Sequence, residues 1–98
     1  MATSAVFAVT YTYVQDPALL DEHRPDHRAF LRGLHEAGSL LLSGPLGGEP
    51  AGGLLILRGE SAEEVLKLLD QDPFRTVGAI ADRAVRPWDV VIGELPGA

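Results

Sequence analysis

Cysteine is missing altogether from this chain of 98 residues. Without it the protein has no disulfide bonds, no thiolate metal ligands and no redox chemistry at sulfur. Disulfides persist in oxidising compartments and are rare in reducing ones, so their absence is compatible with a reducing compartment. We therefore expect a cytoplasmic location.

Long apolar runs and basic clusters are also missing. No run approaches the roughly 18 apolar residues of a membrane span, and no positively charged segment precedes the apolar N-terminal stretch, so we expect neither a membrane partner nor a targeting segment. Lysine and arginine number 8 against 14 aspartate and glutamate residues, which gives a formal net charge of -6. Because no basic patch is interleaved with aromatic residues, we expect no nucleic-acid partner.

A chain of this length has enough residues for one domain with one core, which we assign to residues 1–98. Apolar residues at period two predict strands, those at helical spacing predict helices, and segments rich in glycine and proline predict loops. The predicted elements are a strand over Val6–Val14, a short helical turn from Asp16 to Leu20, a main helix over Pro25–Ala37, a strand over Ser39–Ser43, a loop over Gly44–Gly53, a strand over Leu54–Leu57, a helix from Ser61 to Asp70, a short turn from Asp72 to Gly78 and a strand over Ala84–Ile92.

The order β-α-β-β-α-β predicts an α+β, ferredoxin-like fold. Its sheet has four antiparallel strands, with the two main helices on one face and the first and third strands in the centre. Pro87 in the last strand agrees with this order, because a strand residue without an N–H is tolerated at a sheet edge.

The second and third strands are apolar on both faces, as Leu40, Leu41 and Leu42 illustrate. Strands of this kind are usually covered on both sides, and the two helices cover only one. We therefore expect a second copy of the chain to pack sheet against sheet, which makes the functional unit a homodimer.

His27 lies on the apolar face of the main helix, because Phe30, Leu31 and Leu34 follow it at i+3, i+4 and i+7. A lone histidine on such a face is often a core residue with one ring nitrogen bonded to a carbonyl. A neutral imidazole beside a cleft, however, is the side chain best suited to move protons near neutral pH. The residues alone leave both interpretations open.

Asp72 precedes Pro73 and Phe74 at the start of a short helical turn, where aspartate is an ordinary N-cap. The same carboxylate could also orient an imidazole and stabilise its protonated form, which is the role we hypothesise for it. His27 and Asp72 are accordingly the candidate catalytic residues, and Phe74 is a candidate wall of the substrate pocket.

Three other residues are candidates for binding a substrate. Arg24 has forked donors for a carboxylate or phenolate, although an arginine before a helix usually only contacts solvent. Ser43, at a strand end, is a turn-former first and a hydrogen-bond partner second. Tyr11, in the first strand, is the third.

No metal or other cofactor is expected. His23 and His27 have the spacing H-x-x-x-H, but Pro25 lies between them and no glutamate follows in the metalloprotease pattern. The glycines near position 44 do not precede a helix and lack the lysine of a phosphate-binding loop.

Five segments taken together resemble the YciI-like (YCII-related) family: R-P-x-H, L-L-x-S-G-P-L, G-G-L-L-I-L, S-x-E-E and D-P-F, in that order along nearly the whole chain. The resemblance implies a dimeric α+β barrel of ferredoxin-like protomers and a His–Asp pair, which here falls on His27 and Asp72. Arg24, Ser43 and Gly44 match further family positions that line the same cleft.

These observations predict a small-molecule enzyme. His27 would serve as general base or acid in proton transfer, isomerisation or elimination on a small cyclic or anionic substrate, with Asp72 orienting it. One alternative is a non-catalytic small-molecule-binding or accessory domain, in which the pair satisfies buried polarity. Another is a purely structural dimer module, with Asp72 as a cap and His27 as packing.

Overall fold

The computed structural model describes residues 5–95, which contain four strands and three helices. The elements are β1 (Ala5–Tyr13), α1 (Pro17–Glu36), β2 (Leu40–Leu46), β3 (Gly52–Gly59), α2 (Ala62–Leu69), α3 (Pro73–Thr76) and β4 (Ile80–Pro87). The strands form one antiparallel sheet in the order β2-β3-β1-β4. The ferredoxin-like βαββαβ fold and its two central strands are therefore confirmed.

The core lies between the helices and one face of the sheet. Alternate residues of β1 and β3 point to this face, and α1 and α2 pack their apolar stripes against it. Its buried members include Phe7, Val9, Tyr11, Leu20, Leu31, Leu55, Leu57, Val65, Leu69 and Phe74. No helix within residues 5–95 is long and apolar enough to cross a membrane.

Helix α1 is longer than predicted and runs through Pro25 without a break. Asp16 caps its N-terminus by accepting from the backbone N–H of Leu19 at 3.2 Å. The prediction that the helix begins at Pro25 is wrong because Leu20, His27 and Leu31, all buried on one stripe, hold both halves against the sheet. Pro25 is exposed, as is Asp21, whose carbonyl would otherwise accept the missing proline N–H.

The hairpin of β2 and β3 is also longer than predicted, because the ladder continues through the glycine-rich segment to the pair Leu46 and Gly52. Only residues 47–51 connect the two strands. Gly52 suits this close pairing, since a Cβ there would lie 2.1 Å from the backbone oxygen of Tyr11. The predicted loop over Gly44–Gly53 is thus mostly strand.

Strand β4 begins and ends earlier than the predicted Ala84–Ile92. Gly78, at φ 77°, ends the turn after α3, and the chain enters the sheet two residues later. Pro87 ends the strand rather than interrupting it, because proline has no N–H to continue the ladder. Val91 and Ile92 lie outside the sheet and are 83% and 94% exposed.

Candidate functional site

A cleft of about 670 Å³ lies between helix α1 and the β2–β3 hairpin. The helix wall includes Arg24, His27 and Leu31, and the hairpin wall includes Ser43 and Gly44. Tyr13 and Phe74 also line the cleft. Both walls therefore belong to regular secondary structure, helix α1 and the β2–β3 hairpin, which positions the side chains between them.

His27 and Asp72 meet at the buried end of this cleft, although they are 45 residues apart in sequence. The Nδ1 of His27 lies 2.8 Å from Oδ1 and 2.9 Å from Oδ2 of Asp72. Asp72 is fully buried and His27 is 7% exposed. The expected juxtaposition of imidazole and carboxylate is therefore present.

Three donors are directed at the Asp72 carboxylate. Besides Nδ1–H of His27, the backbone N–H of Phe74 donates to it at 2.9 Å and the hydroxyl of Tyr11 donates at 3.3 Å. The Phe74 bond makes Asp72 the N-cap of α3. Asp72 is thus a helix cap and a partner of the imidazole at the same time, and the cap and the tyrosine fix the orientation of its oxygens.

The hydrogen bonds also determine which nitrogen of the neutral His27 ring carries the proton. Because Asp72 accepts, Nδ1 holds the hydrogen and Nε2 keeps its lone pair. Within residues 5–95, Nε2 has no protein partner, and no buried side-chain nitrogen or oxygen lacks one. Nε2 is therefore open to the cleft, with its lone pair free to take a proton from a bound molecule.

Phe74 fixes the plane of the imidazole. The rings of His27 and Phe74 stack with centroids 4.0 Å apart and an interplanar angle of 7°. Tyr13 packs edge-on against Phe74, with the two ring centroids 5.4 Å apart. The histidine cannot rotate without displacing this aromatic cluster, so its Nε2 keeps one direction.

The model of the YCII-related domain matches residues 5–89. This chain belongs to the YCII-related family. Because the match includes every element from β1 to β4, the family assignment applies to the whole sheet and to the cleft above it.

Solved structures of the same fold support this architecture. A 5-chloro-2-hydroxyhydroquinone dehydrochlorinase (TftG) from Burkholderia phenoliruptrix AC1100, in complex with 2,5-dihydroxybenzoquinone, superposes with a TM-score of 0.75 at 24% identity, over 86% of this chain and 93% of its own. PA3566 from Pseudomonas aeruginosa gives 0.56 at 11% identity over 94% and 98%, and an antibiotic biosynthesis monooxygenase gives 0.56 at 15% over 89% and 99%. No protein of curated function matches the chain.

Not all the residues that the sequence predicts for the site line the cleft of this YCII-related domain. Arg24, Ser43, Gly44 and Phe74 line it with His27, whereas Tyr11 is 1% exposed, lies behind Asp72 and is absent from the lining. Tyr11 therefore contacts the carboxylate rather than the space that a ligand would fill.

Tyr13 lines the cleft and was not among the sequence candidates. Its hydroxyl has no hydrogen-bond partner within residues 5–95, and a Cβ at Gly53 would lie 2.8 Å from it. A glycine at that position of β3 leaves room for the hydroxyl at the cleft wall. The alternation of β1, which puts Tyr11 and Tyr13 on one face, was the available signal.

Arg28 and Arg32 were not among the sequence candidates for the site. Both are exposed, but both also line the cleft beside Arg24. The signal in the sequence was their spacing, because residues four apart on a helix lie on one side of it.

His23 and His27 lie on the same helix, contrary to the expectation that Pro25 would leave His23 outside it. His23 contacts Glu22 at 3.7 Å, whereas the Nδ1 of His27 is bonded to Asp72. Within the described part of the chain, no three histidine, aspartate or glutamate side chains are placed to hold a metal ion.

Ionisation of the tyrosines is a direct measure of this environment, because the chain has only two, Tyr11 and Tyr13. Burial, and then the charge of Asp72 and its hydrogen bond, raise the pKa of Tyr11 far above its ordinary value. Burial and the Asp72 charge also raise the pKa of Tyr13, against the opposing charges of Arg24 and Arg28. In the native protein both phenols therefore remain protonated donors near neutral pH and well beyond it.

We expect the phenolate absorbance of the native protein to develop at higher pH than that of the unfolded chain, whose tyrosines ionise around pH 10. Since the native state then binds more protons than the unfolded state, the free energy of unfolding should fall as the pH rises above about 10. A spectrophotometric titration with and without denaturant measures both curves. Their coincidence would contradict the described environment.

Proposed function

We propose that this YCII-related domain is an enzyme that moves protons on a small, cyclic, anionic molecule, with the Nε2 of His27 as general base and then general acid. The observation that carries the proposal is the hydrogen-bond pattern of His27. Nδ1 is bonded to a buried carboxylate, while Nε2 is open to a cleft large enough for a small ligand.

The proposed step begins when the lone pair of Nε2 takes a proton from a C–H of the substrate next to an electron-withdrawing group. The electron pair of that bond moves into the substrate, and His27 becomes an imidazolium whose positive charge faces Asp72. In an isomerisation the proton returns to another atom of the substrate. In an elimination the electron pair expels a leaving group, and the proton passes from Nε2 to water.

Three further residues have roles in this proposal. Arg24 lies in the helix wall, one turn before His27, and its guanidinium, which also pairs with Asp21, donates to a substrate carboxylate or phenolate. The Tyr13 hydroxyl has no protein partner and donates to an oxygen on which negative charge develops during proton removal. Ser43, on the opposite wall, offers another hydrogen bond to the same molecule.

The structural neighbour TftG supports the choice of reaction class. It is a dehydrochlorinase and is bound to 2,5-dihydroxybenzoquinone, a cyclic molecule. Dehydrochlorination removes a proton and a chloride, which is an elimination of the kind that a base such as Nε2 assists. Because its sequence is 24% identical to this one, it supports a reaction class and not a substrate.

The test is a screen for proton exchange in D₂O. Hydroxylated quinones and small cyclic carboxylic acids are incubated with the protein, and loss of substrate C–H signals is followed by proton NMR. An acid–base enzyme exchanges or consumes at least one class of compound. A binding or accessory domain shifts the melting temperature with its ligand but produces no exchange, and that result would overturn the proposal.

We also propose a homodimer formed through the sheet face that the helices leave uncovered. On this face Thr10 of β1 lies between Leu54 of β3 and Ala84 of β4. Thr10 and Ala84 are exposed, Leu54 is half-buried, and Leu42 at the same side of β2 is 39% exposed. Arg86 and Asp82 of the edge strand flank this patch on the same face, and a second sheet would cover the apolar side chains between them.

Replacing Thr10 by arginine should convert the dimer into a monomer, because it puts a charge in the centre of the proposed interface. Ala29→Arg adds the same group at an exposed position of α1 and should leave the dimer intact. Sedimentation velocity measures both. A wild-type protein that sediments as a monomer at micromolar concentration would contradict the proposal.

A further inference from the structure

Three arginines form a stripe along helix α1. Arg24, Arg28 and Arg32 are spaced four residues apart, which places successive Cα atoms about 6 Å apart along the helix axis. All three line the main cleft, and the same three line an adjoining open depression of about 480 Å³. The stripe therefore joins two concave surfaces.

Two of these arginines are left without a carboxylate partner. Arg24 pairs with Asp21, and elsewhere Arg75 and Arg83 share Asp70. Arg28 and Arg32 form no ion pair and no side-chain hydrogen bond within residues 5–95. In a chain with 14 acidic residues and a net charge of -6, carboxylates are abundant, yet these two guanidinium groups remain available.

The charge of the cleft is opposite to the charge of the chain. The charged side chains that line it are three arginines, with no aspartate or glutamate, and Asp21, which pairs with Arg24, lines only the adjoining depression. A concave surface with cations only attracts anions and retains them, since its walls exclude part of the competing water. A single anionic group near His27 would engage Arg24 and leave the outer two arginines unused.

We propose that Arg28 and Arg32 form a second anion subsite, so that the cleft selects dianionic molecules. The reacting part lies at His27 and Arg24, and a second carboxylate or phosphate group of the same molecule lies at the outer arginines. The identity of the reacting part rests on the proposed function. The anion subsite itself does not, because it needs only the guanidinium groups.

Guanidinium groups suit this role because their forked donors match the oxygens of a carboxylate or phosphate. A hydrogen bond to a charged group contributes enough that removing one such partner weakens binding by about tenfold or more. The two outer arginines together should therefore give a dianion at least a tenfold advantage over the matching monoanion.

The test compares benzoate with benzene-1,4-dicarboxylate by isothermal titration calorimetry at constant ionic strength. The wild-type protein should bind the dicarboxylate at least tenfold more tightly. The double variant Arg28→Gln/Arg32→Gln should lose this advantage while binding benzoate as before. The double variant Lys67→Gln/Arg75→Gln removes the same charge from α2 and α3, outside the cleft, and should keep the advantage.

Equal affinity for the two acids in the wild-type protein, or no measurable binding of either, would overturn the proposal. An equal loss of the preference for the dicarboxylate in both double variants would also overturn it, because the preference would then come from the overall charge of the protein and not from the two arginines. His27→Asn separates this proposal from the acid–base function. That variant should lower the rate of proton exchange by roughly 10²- to 10⁴-fold and keep the preference for the dicarboxylate, so either proposal can fail while the other stands.

Discussion

Replacing His27 by asparagine should lower the rate of proton exchange or turnover by roughly 10²- to 10⁴-fold, the usual contribution of a general acid or base. Asparagine is chosen because its amide nitrogen takes the place of Nδ1 and can still donate to Asp72. The variant therefore removes Nε2 without leaving the buried carboxylate short of a donor. The rate is measured on the compound that the D₂O screen identifies.

His23→Asn is the matched control, because His23 lies one turn earlier on α1 and does not line the cleft. It should retain the wild-type rate. The melting temperatures of both variants show whether a lost rate reflects lost structure. An unchanged rate in folded His27→Asn would remove His27 from the mechanism, and the accessory binding domain would become the better interpretation.

The residue pattern predicts the elements in the right order but places several of their ends wrongly, and Pro25 shows why. Proline disfavours a helix interior locally, by about 3 kcal/mol, so the local rule begins the helix there. The cost is offset by tertiary burial of Leu20 before the proline and of His27 and Leu31 after it. That burial depends on the sheet, which no window of sequence around Pro25 contains.

The prediction of a loop in the glycine-rich hairpin was wrong for a related reason. Glycine is typical of loops, yet Gly52 and Gly53 are part of β3, where the backbone of β1 and the Tyr13 hydroxyl approach them too closely for a side chain. The requirement is set by residues some 40 positions away. Composition alone therefore predicts a loop for a segment that strand pairing makes part of the sheet.

The sequence likewise predicted only part of the candidate site. Helical spacing placed His27 on the inner face of α1, and capping chemistry placed Asp72 at the start of α3. Their contact followed from the family resemblance and not from periodicity. Arg28 and Tyr13 were missed because the wall opposite them, the β2–β3 hairpin, extends further than its sequence suggested.

Replacing Asp72 by alanine should lower the free energy of unfolding by about 3–5 kcal/mol, a large part of the roughly 5–15 kcal/mol typical of a domain. The change leaves three donors without an acceptor: Nδ1–H of His27, the Tyr11 hydroxyl and the Phe74 N–H. Ser61→Ala removes only an exposed cap, at α2, and should cost about 1 kcal/mol. Urea denaturation measures the free energy of unfolding of both variants. Equal losses in the two would show that Asp72 contributes to stability only as a helix cap.

Asp72→Asn separates orientation of the imidazole from stability. The amide oxygen in the place of Oδ1 can still accept from Phe74, so α3 keeps its cap, but the amide nitrogen in the place of Oδ2 then lies 2.9 Å from the Nδ1 of His27 as a donor. This contact favours the tautomer in which Nδ1 has the lone pair and Nε2 carries the proton, and Nε2 then cannot take a proton from a substrate. We expect a smaller loss of stability than in Asp72→Ala together with a loss of rate of up to about 10⁴-fold, as the same change of tautomer causes in serine proteases. A folded Asp72→Asn protein with the wild-type rate would show that the carboxylate does not set the tautomer on which the proposed mechanism depends.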